Sequence, residues 1–100
     1  MESAYHACLV YELSSRGLKI QAQVPLPIKY RGVCVDAAYR IDLIAEDLVV
    51  VEIKAVEKLL PIHDAQLLSY LKLSDKRLGL LINFQVLRLK DGYKRIVNGL

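Results

Sequence analysis

The sequence has no tryptophan, a single phenylalanine and only two cysteines, Cys8 and Cys34. Two isolated cysteines supply neither a disulfide framework nor a zinc site. They are expected to be reduced, buried, small hydrophobes. Apolar runs fall far short of the ~20 residues that span a membrane, and the opening Met1-Glu2-Ser3-Ala4-Tyr5 lacks the basic-then-apolar pattern of a secretory signal. A cytoplasmic location with no membrane partner is therefore expected. Charge of one sign is scarce as well. A net charge of +3 permits nucleic-acid binding without announcing it. Repeats, linkers and low-complexity stretches are missing too. What is present is a chain of 100 residues, 54% of them apolar, which excludes a disordered segment. That length makes one domain, residues 1–100. A domain this small leaves much surface exposed, so a homodimer is an expected gain.

Periodicity and turn chemistry set out the elements. Tyr5, Cys8, Leu9 and Leu13 recur at helical spacing over Glu2–Arg16, and Gly17 supplies the stop. Gln21–Tyr30 reads as extended, and its Pro25 and Pro27 suit an edge strand. Arg31-Gly32 turns the chain into a long, bulged strand, Val33–Ala45. Glu46-Asp47 turns it again into Leu48–Lys54, the expected sheet centre. Pro61 suits the first turn of a helix running to Ser74. Leu78–Phe84 is a buried strand by composition. Val86–Leu89 and Tyr93–Val97 read as a hairpin around Asp91-Gly92. The fold class is α/β, a mixed central sheet flanked by helices in the order αβββαββ.

The third strand carries the chemistry. Residues two apart in a strand face the same way, so Glu52 and Lys54 share one side and Val49, Val51 and Ile53 the other. A carboxylate and an ammonium in so apolar a strand are costly unless paired or bound. Asp42, before the preceding turn, completes a D…ExK pattern. It suits a divalent metal held by two carboxylates, with a lysine beside it to handle water. On the second helix His63, Gln66 and Tyr70 fall at i, i+3 and i+7, a narrow polar stripe on a leucine-rich segment. A crossover helix packs beside the strand it follows, so this stripe is placed to overlook Glu52 and Lys54. Blander readings stay open: a structural ion pair for Glu52 and Lys54, a strand-end aspartate for Asp42, a solvated helix face for the stripe. With a glutamine and not a second histidine beside His63, zinc does not fit. Two basic clusters, Lys29, Arg31 and Arg40, then Arg88, Lys90, Lys94 and Arg95, are either solvated strand faces or phosphate contacts.

These residues carry a resemblance. Asp42 with Glu52-Ile53-Lys54 resembles the central motif of the PD-(D/E)XK nucleases, whose restriction-endonuclease-like core has this element order, and Gln66-Leu67-Leu68-Ser69-Tyr70 resembles the QxxxY motif of RecB-type members. More narrowly, the chain resembles the small GxxExxY family. The runs that carry this are Glu2-Ser3-Ala4-Tyr5, Tyr39-Arg40-Ile41-Asp42-Leu43, the segment from Val51 to Lys58, the segment from His63 to Leu71, and Gly79-Leu80-Leu81-Ile82-Asn83-Phe84. The resemblance covers essentially the whole chain.

It implies a Mg²⁺-dependent (or Mn²⁺-dependent) nuclease that hydrolyses DNA phosphodiester bonds. Asp42, Glu52 and the Ile53 backbone carbonyl would bind the metal, Lys54 would serve the attacking water or the phosphate, and Gln66 and Tyr70 would support the site or touch DNA. Related nucleases place a further acidic ligand on the first helix, where this chain offers Glu2 or Glu12. The family's glycine would fall three positions before Glu2, so a truncated first helix is expected. The competing expectation is a catalytically weak or inactive nuclease-fold module for nucleic-acid binding or assembly. A purely structural core with an internal ion pair accounts for Glu52 and Lys54 but not for the spacing of Gln66 and Tyr70.

Overall fold

A computed structural model describes residues 2–85 and 92–99, with the side chains of residues 2, 30 and 35–38 outside the description. Helix α1 (Glu2–Ser15) leads into strands β1 (Ile20–Tyr30), β2 (Val33–Ala45) and β3 (Val49–Lys54), followed by helix α2 (Pro61–Ser74) and strands β4 (Leu78–Asn83) and β5 (Tyr93–Val97). The described strands form a five-stranded sheet in the order β1-β2-β3-β4-β5. Proline-bearing β1 is an edge and β3 is central, as the sequence predicts. Neighbours pair antiparallel except β3 and β4, which run parallel. A parallel pair needs a crossover, and α2 is that crossover.

Strand alternation divides the core between the two faces of the sheet. Val51 and Ile53, with Leu43, pack under Tyr5, Leu9 and Leu13 of α1. Val50, Ile44 and Leu81 pack under Leu67, Tyr70 and Leu71 of α2. Glu52 and Lys54 follow the parity of Val50 and so belong to the α2 side. The rings of Tyr5 and Phe84 stack at 5.0 Å and tie α1 to the end of β4.

Several boundaries differ from the sequence reading. Leu48 belongs to the turn and not to β3. Glu46 and Asp47 both adopt positive φ, 54° and 57°, and Leu48 N–H closes the turn on Ala45 O at 3.0 Å. The predicted bulge falls where β1 is weakest. The β1–β2 register passes from Leu26↔Tyr39 to Ile28↔Val35, skipping Pro27, which has no N–H to give the ladder. The predicted strand Val86–Leu89 and the turn residue Asp91 lie outside the described residues, as do Arg88 and Lys90. The partner strand Tyr93–Val97 is present and pairs with β4.

The cysteines correct an expectation: Cys8 and Cys34 are both exposed, not buried. On α1 the sheet-facing positions are taken by Tyr5, Leu9, Val10 and Leu13, which leaves Cys8 off the packed face. Cys34 sits opposite Lys29 beside the Arg31-Gly32 turn, where only the two-stranded tip of the hairpin runs.

The height of α2 above the sheet is set by one close approach. A Cβ built on Gly79 would lie 3.0 Å from Leu67, and Leu67 is fully buried. Gly79→Ala is therefore expected to destabilise the fold by ~1–3 kcal/mol through overpacking. Urea unfolding measures this, and Leu67→Val in the same chain should recover part of the loss.

Candidate functional site

The site forms where the sheet opens. The β2–β3 ladder holds only from Ala45↔Val49 to Leu43↔Val51. One residue further, the backbone pairing is replaced by side chains. Asp42 N–H donates to Glu52 Oε2 at 2.8 Å, and Ile53 N–H donates to Asp42 Oδ2 at 2.7 Å. The two carboxylates thus take the places of two ladder acceptors and hold the strands apart by the length of a side chain. The ladder on the other side of Asp42 breaks as well. The β1–β2 register runs from Ala22↔Leu43 to Val24↔Ile41, and Gln23, which would face Asp42, takes a positive φ of 51°. That conformation is uncommon for a residue other than glycine and turns the β1 backbone away.

A residue released from both ladders needs other partners for its peptide groups. The Asp42 carbonyl oxygen lies 2.8 Å from His6 Nε2 on α1. A carbonyl only accepts, so His6 carries its proton on Nε2. The side-chain amide nitrogen of Gln23 lies 3.3 Å from the same ring nitrogen. Ser3, His6, Gln23, Asp42 and Ile53 line a small cleft of about 190 Å³. Water occupies ~30 Å³ in the liquid, so the cleft has room for a few molecules.

On the α2 side the polar groups form a chain. Lys54 Nζ donates to Gln66 Oε1 at 3.3 Å, and Gln66 Nε2 donates to the Tyr70 hydroxyl at 3.1 Å. His63, Gln66 and Tyr70 share one side of α2, and with Lys54 and Tyr39 they line a second cleft of about 560 Å³. His63 also closes the start of the helix, where its Nδ1 accepts Leu60 N–H at 2.9 Å. Glu52 is buried, yet no buried polar side-chain atom among the described residues is without a partner. Burial raises the Tyr70 phenol above its ordinary range, and the negative charges of Glu52 and Asp42 push the same way.

The geometry thus gathers Asp42, Glu52, Ile53, Lys54, Gln66 and Tyr70 around one fork. Glu2 opens α1, but its side chain is outside the description. Glu12 is turned to the surface, paired with Arg16 at 3.0 Å, so it does not join the group. Of the basic residues, Lys94 pairs with Asp64 of α2. Among the described residues, no group of three or more His, Cys, Asp or Glu is placed to hold a metal. The available donor set is two carboxylates and a backbone carbonyl. These hard oxygens suit an ion that keeps several waters, as Mg²⁺ does. In this respect the residues fit a divalent ion.

Comparison with known proteins agrees with this geometry. Residues 1–96 match the family model of the PD-(D/E)XK nuclease superfamily. The chain belongs to that superfamily. Its members generally use divalent metal ions and act on nucleic acids. The fold also matches the crystal structure of SSO0001 with a TM-score of 0.72 and 25% identity over 99% of this chain, which spans 51% of that protein. No curated protein matches the chain. Among the described residues, no helix is long and apolar enough to cross a membrane.

Three contributors escaped the sequence reading. His6 reaches the Asp42 carbonyl across 36 positions of sequence, and Gln23 reaches His6 across 17, so no local spacing encodes either contact. Asn83 is almost fully buried. Its Oδ1 accepts Val56 N–H at 3.1 Å and its Nδ2 donates to Val56 O at 2.8 Å, which pins the chain just after Lys54. An asparagine closing an otherwise apolar strand was the available signal. The Tyr70 phenol gives a direct test of the site's polarity. A metal-free spectrophotometric titration should show a component ionising above the ordinary phenol range, and Tyr70→Phe should remove it. Because the folded form keeps this proton longer, stability should fall as pH rises beyond the ordinary phenol range near 10. The same variant should weaken that dependence.

Proposed function

We propose that this chain is a Mg²⁺- or Mn²⁺-dependent nuclease of the GxxExxY type that hydrolyses DNA phosphodiester bonds as one domain, in the cytoplasm and as a homodimer. The observation that carries the reading is the fork itself: two carboxylates, each bound to a backbone N–H of the facing strand, with an ammonium on the same strand face just beyond. In this proposal Asp42, Glu52 and the Ile53 carbonyl hold the ion, and Glu2 is a further candidate. A bound divalent ion would supply Lewis-acid polarisation of a phosphoryl oxygen and a lowered pKa for bound water.

The remaining work belongs to the chain's own side chains. Lys54 presents a positive charge where negative charge grows on the phosphate, and a donor held in place before reaction costs no reorganisation during it. Gln66 holds that ammonium through its oxygen, and Tyr70 holds Gln66 in the orientation that makes this hydrogen bond. A phenol is neutral at working pH, and burial moves Tyr70 further from ionising, so it remains a hydrogen-bonding group and adds no negative charge.

Purified protein with Mg²⁺ or Mn²⁺ is expected to cleave DNA offered as single-stranded, duplex and branched substrates. Lys54→Ala should lower turnover on the order of 10²–10³-fold while melting at the wild-type temperature. Glu52→Gln should also raise the metal concentration needed. Intact DNA in every arm would refute the activity. If Lys54 is instead only a partner for a buried carboxylate, Lys54→Ala should cost roughly 3–5 kcal/mol of stability, and thermal melting separates the two.

A further inference from the structure

The larger cleft holds more than phosphate chemistry needs. It is about 560 Å³ in volume, in the range of pockets that enclose an organic ligand, ~300–1,000 Å³. Its lining sets the polar Lys54, Gln66 and Ser69 beside the apolar and aromatic Ile62 and Tyr39. No acidic residue lines it among the described residues, and Lys54 brings a positive charge to it, while Glu52 and Asp42 act on Tyr70 from outside the lining.

Tyr39 is the unexplained member. It lies on β2 three residues before Asp42, beyond the point where β3 ceases to pair with β2. There the fork leaves its ring uncovered by the sheet. The ring leans on Tyr70 at 5.5 Å with a tilt of 50°, yet the residue is 44% exposed. Ile62, at the first turn of α2, is 67% exposed on the same cleft. A large aromatic propped by a second one and open to a cleft is a costly surface to leave in water, and it is the arrangement on which a planar ring stacks.

We propose that this cleft receives an unpaired nucleobase and that Tyr39 is the residue it stacks on, which makes single-stranded or locally opened nucleic acid the substrate class. The inference rests on the nucleic-acid reading above and deepens it. A nucleotide whose phosphate lies at Lys54 carries its own base within reach of the aromatic wall. In a duplex that base is paired and stacked on its neighbours, so its π-face is covered and only its edges are reachable through the grooves. An apolar wall beside the cation is of use only when the base is out of the stack, as in enzymes that act on unpaired or extruded nucleotides. Stacking on tyrosine is tolerant of sequence because every base has a π-face.

The test is equilibrium binding in EDTA, where no cleavage occurs, of a short oligodeoxythymidine and of a duplex of the same length. The proteins compared are wild type, Tyr39→Phe, Tyr39→Ala and Tyr39→Leu. Leucine keeps apolar bulk against Tyr70 without an aromatic face, so it serves if alanine disturbs the fold. Wild type should prefer the single strand. Tyr39→Phe should match it, whereas Tyr39→Ala and Tyr39→Leu should bind the single strand roughly 5- to 150-fold more weakly, with duplex binding unchanged. A single strand carrying 2-aminopurine should lose fluorescence on wild type and not on Tyr39→Leu. Equal losses on single strand and duplex, or none on the single strand, overturn the inference and leave the nuclease reading standing. A wild type that binds neither nucleic acid overturns the inference, and cleavage with Mg²⁺ or Mn²⁺ then decides the nuclease reading separately.

Discussion

The structure depends on how Asp42 leaves the sheet. A strand residue normally gives its N–H and carbonyl to a neighbouring strand. Asp42 gives its N–H to the Glu52 carboxylate and its carbonyl to His6, and its own carboxylate receives Ile53 N–H. A hydrogen bond to an ionised carboxylate is roughly twice as strong as a neutral one, so the exchange is not a simple loss of pairing. It fixes both carboxylates at the point where the strands part. It also creates two clefts, one toward α1 and one toward α2, with the acidic pair between them.

What surrounds this point keeps it from relaxing. The β3–β4 ladder continues past it to Lys54↔Asn83, so β3 is held straight by one neighbour while the other departs. Asn83 clasps Val56 on both its N–H and its carbonyl, and Phe84 N–H donates to Lys54 O at 2.9 Å. The backbone on either side of the Lys54 Cα is thereby fixed, and only its long side chain is left to position. Gln66 performs that step. It can do so because Leu67, next to it on α2, is seated against Gly79 and brings the helix close to the sheet.

Much of this was readable from local pattern. The parity of Glu52 and Lys54 against Val49, Val51 and Ile53 gave their common face, because strand alternation leaves no other choice. The spacing of Gln66 and Tyr70 placed them on one side of α2, and Pro25 and Pro27 marked the edge. The parts that were not readable depend on distant segments. Gln23 gives no hint of a positive φ, since that conformation answers to Asp42 on the neighbouring strand. The role of His6 requires knowing that α1 crosses the sheet beside Asp42. Cys8 and Cys34 were misjudged because a residue's average tendency to be buried says nothing of a helix flank or a hairpin tip. The assignment of metal, substrate and mechanism to these residues rests on family resemblance and is a proposal.

The central claim is that the Asp42–Glu52 fork is a divalent-cation site and not only a structural clasp. Calorimetric titration of Mg²⁺ and Mn²⁺ into wild type and Asp42→Asn tests it without needing a substrate. Asparagine keeps the shape and a side-chain oxygen that can accept Ile53 N–H, so the clasp should survive while the charge is lost. The account predicts saturable binding to wild type, with affinity reduced about tenfold or more in an Asp42→Asn protein that melts normally. Wild type that binds neither ion, or an Asp42→Asn variant that binds them as tightly as wild type, would contradict it.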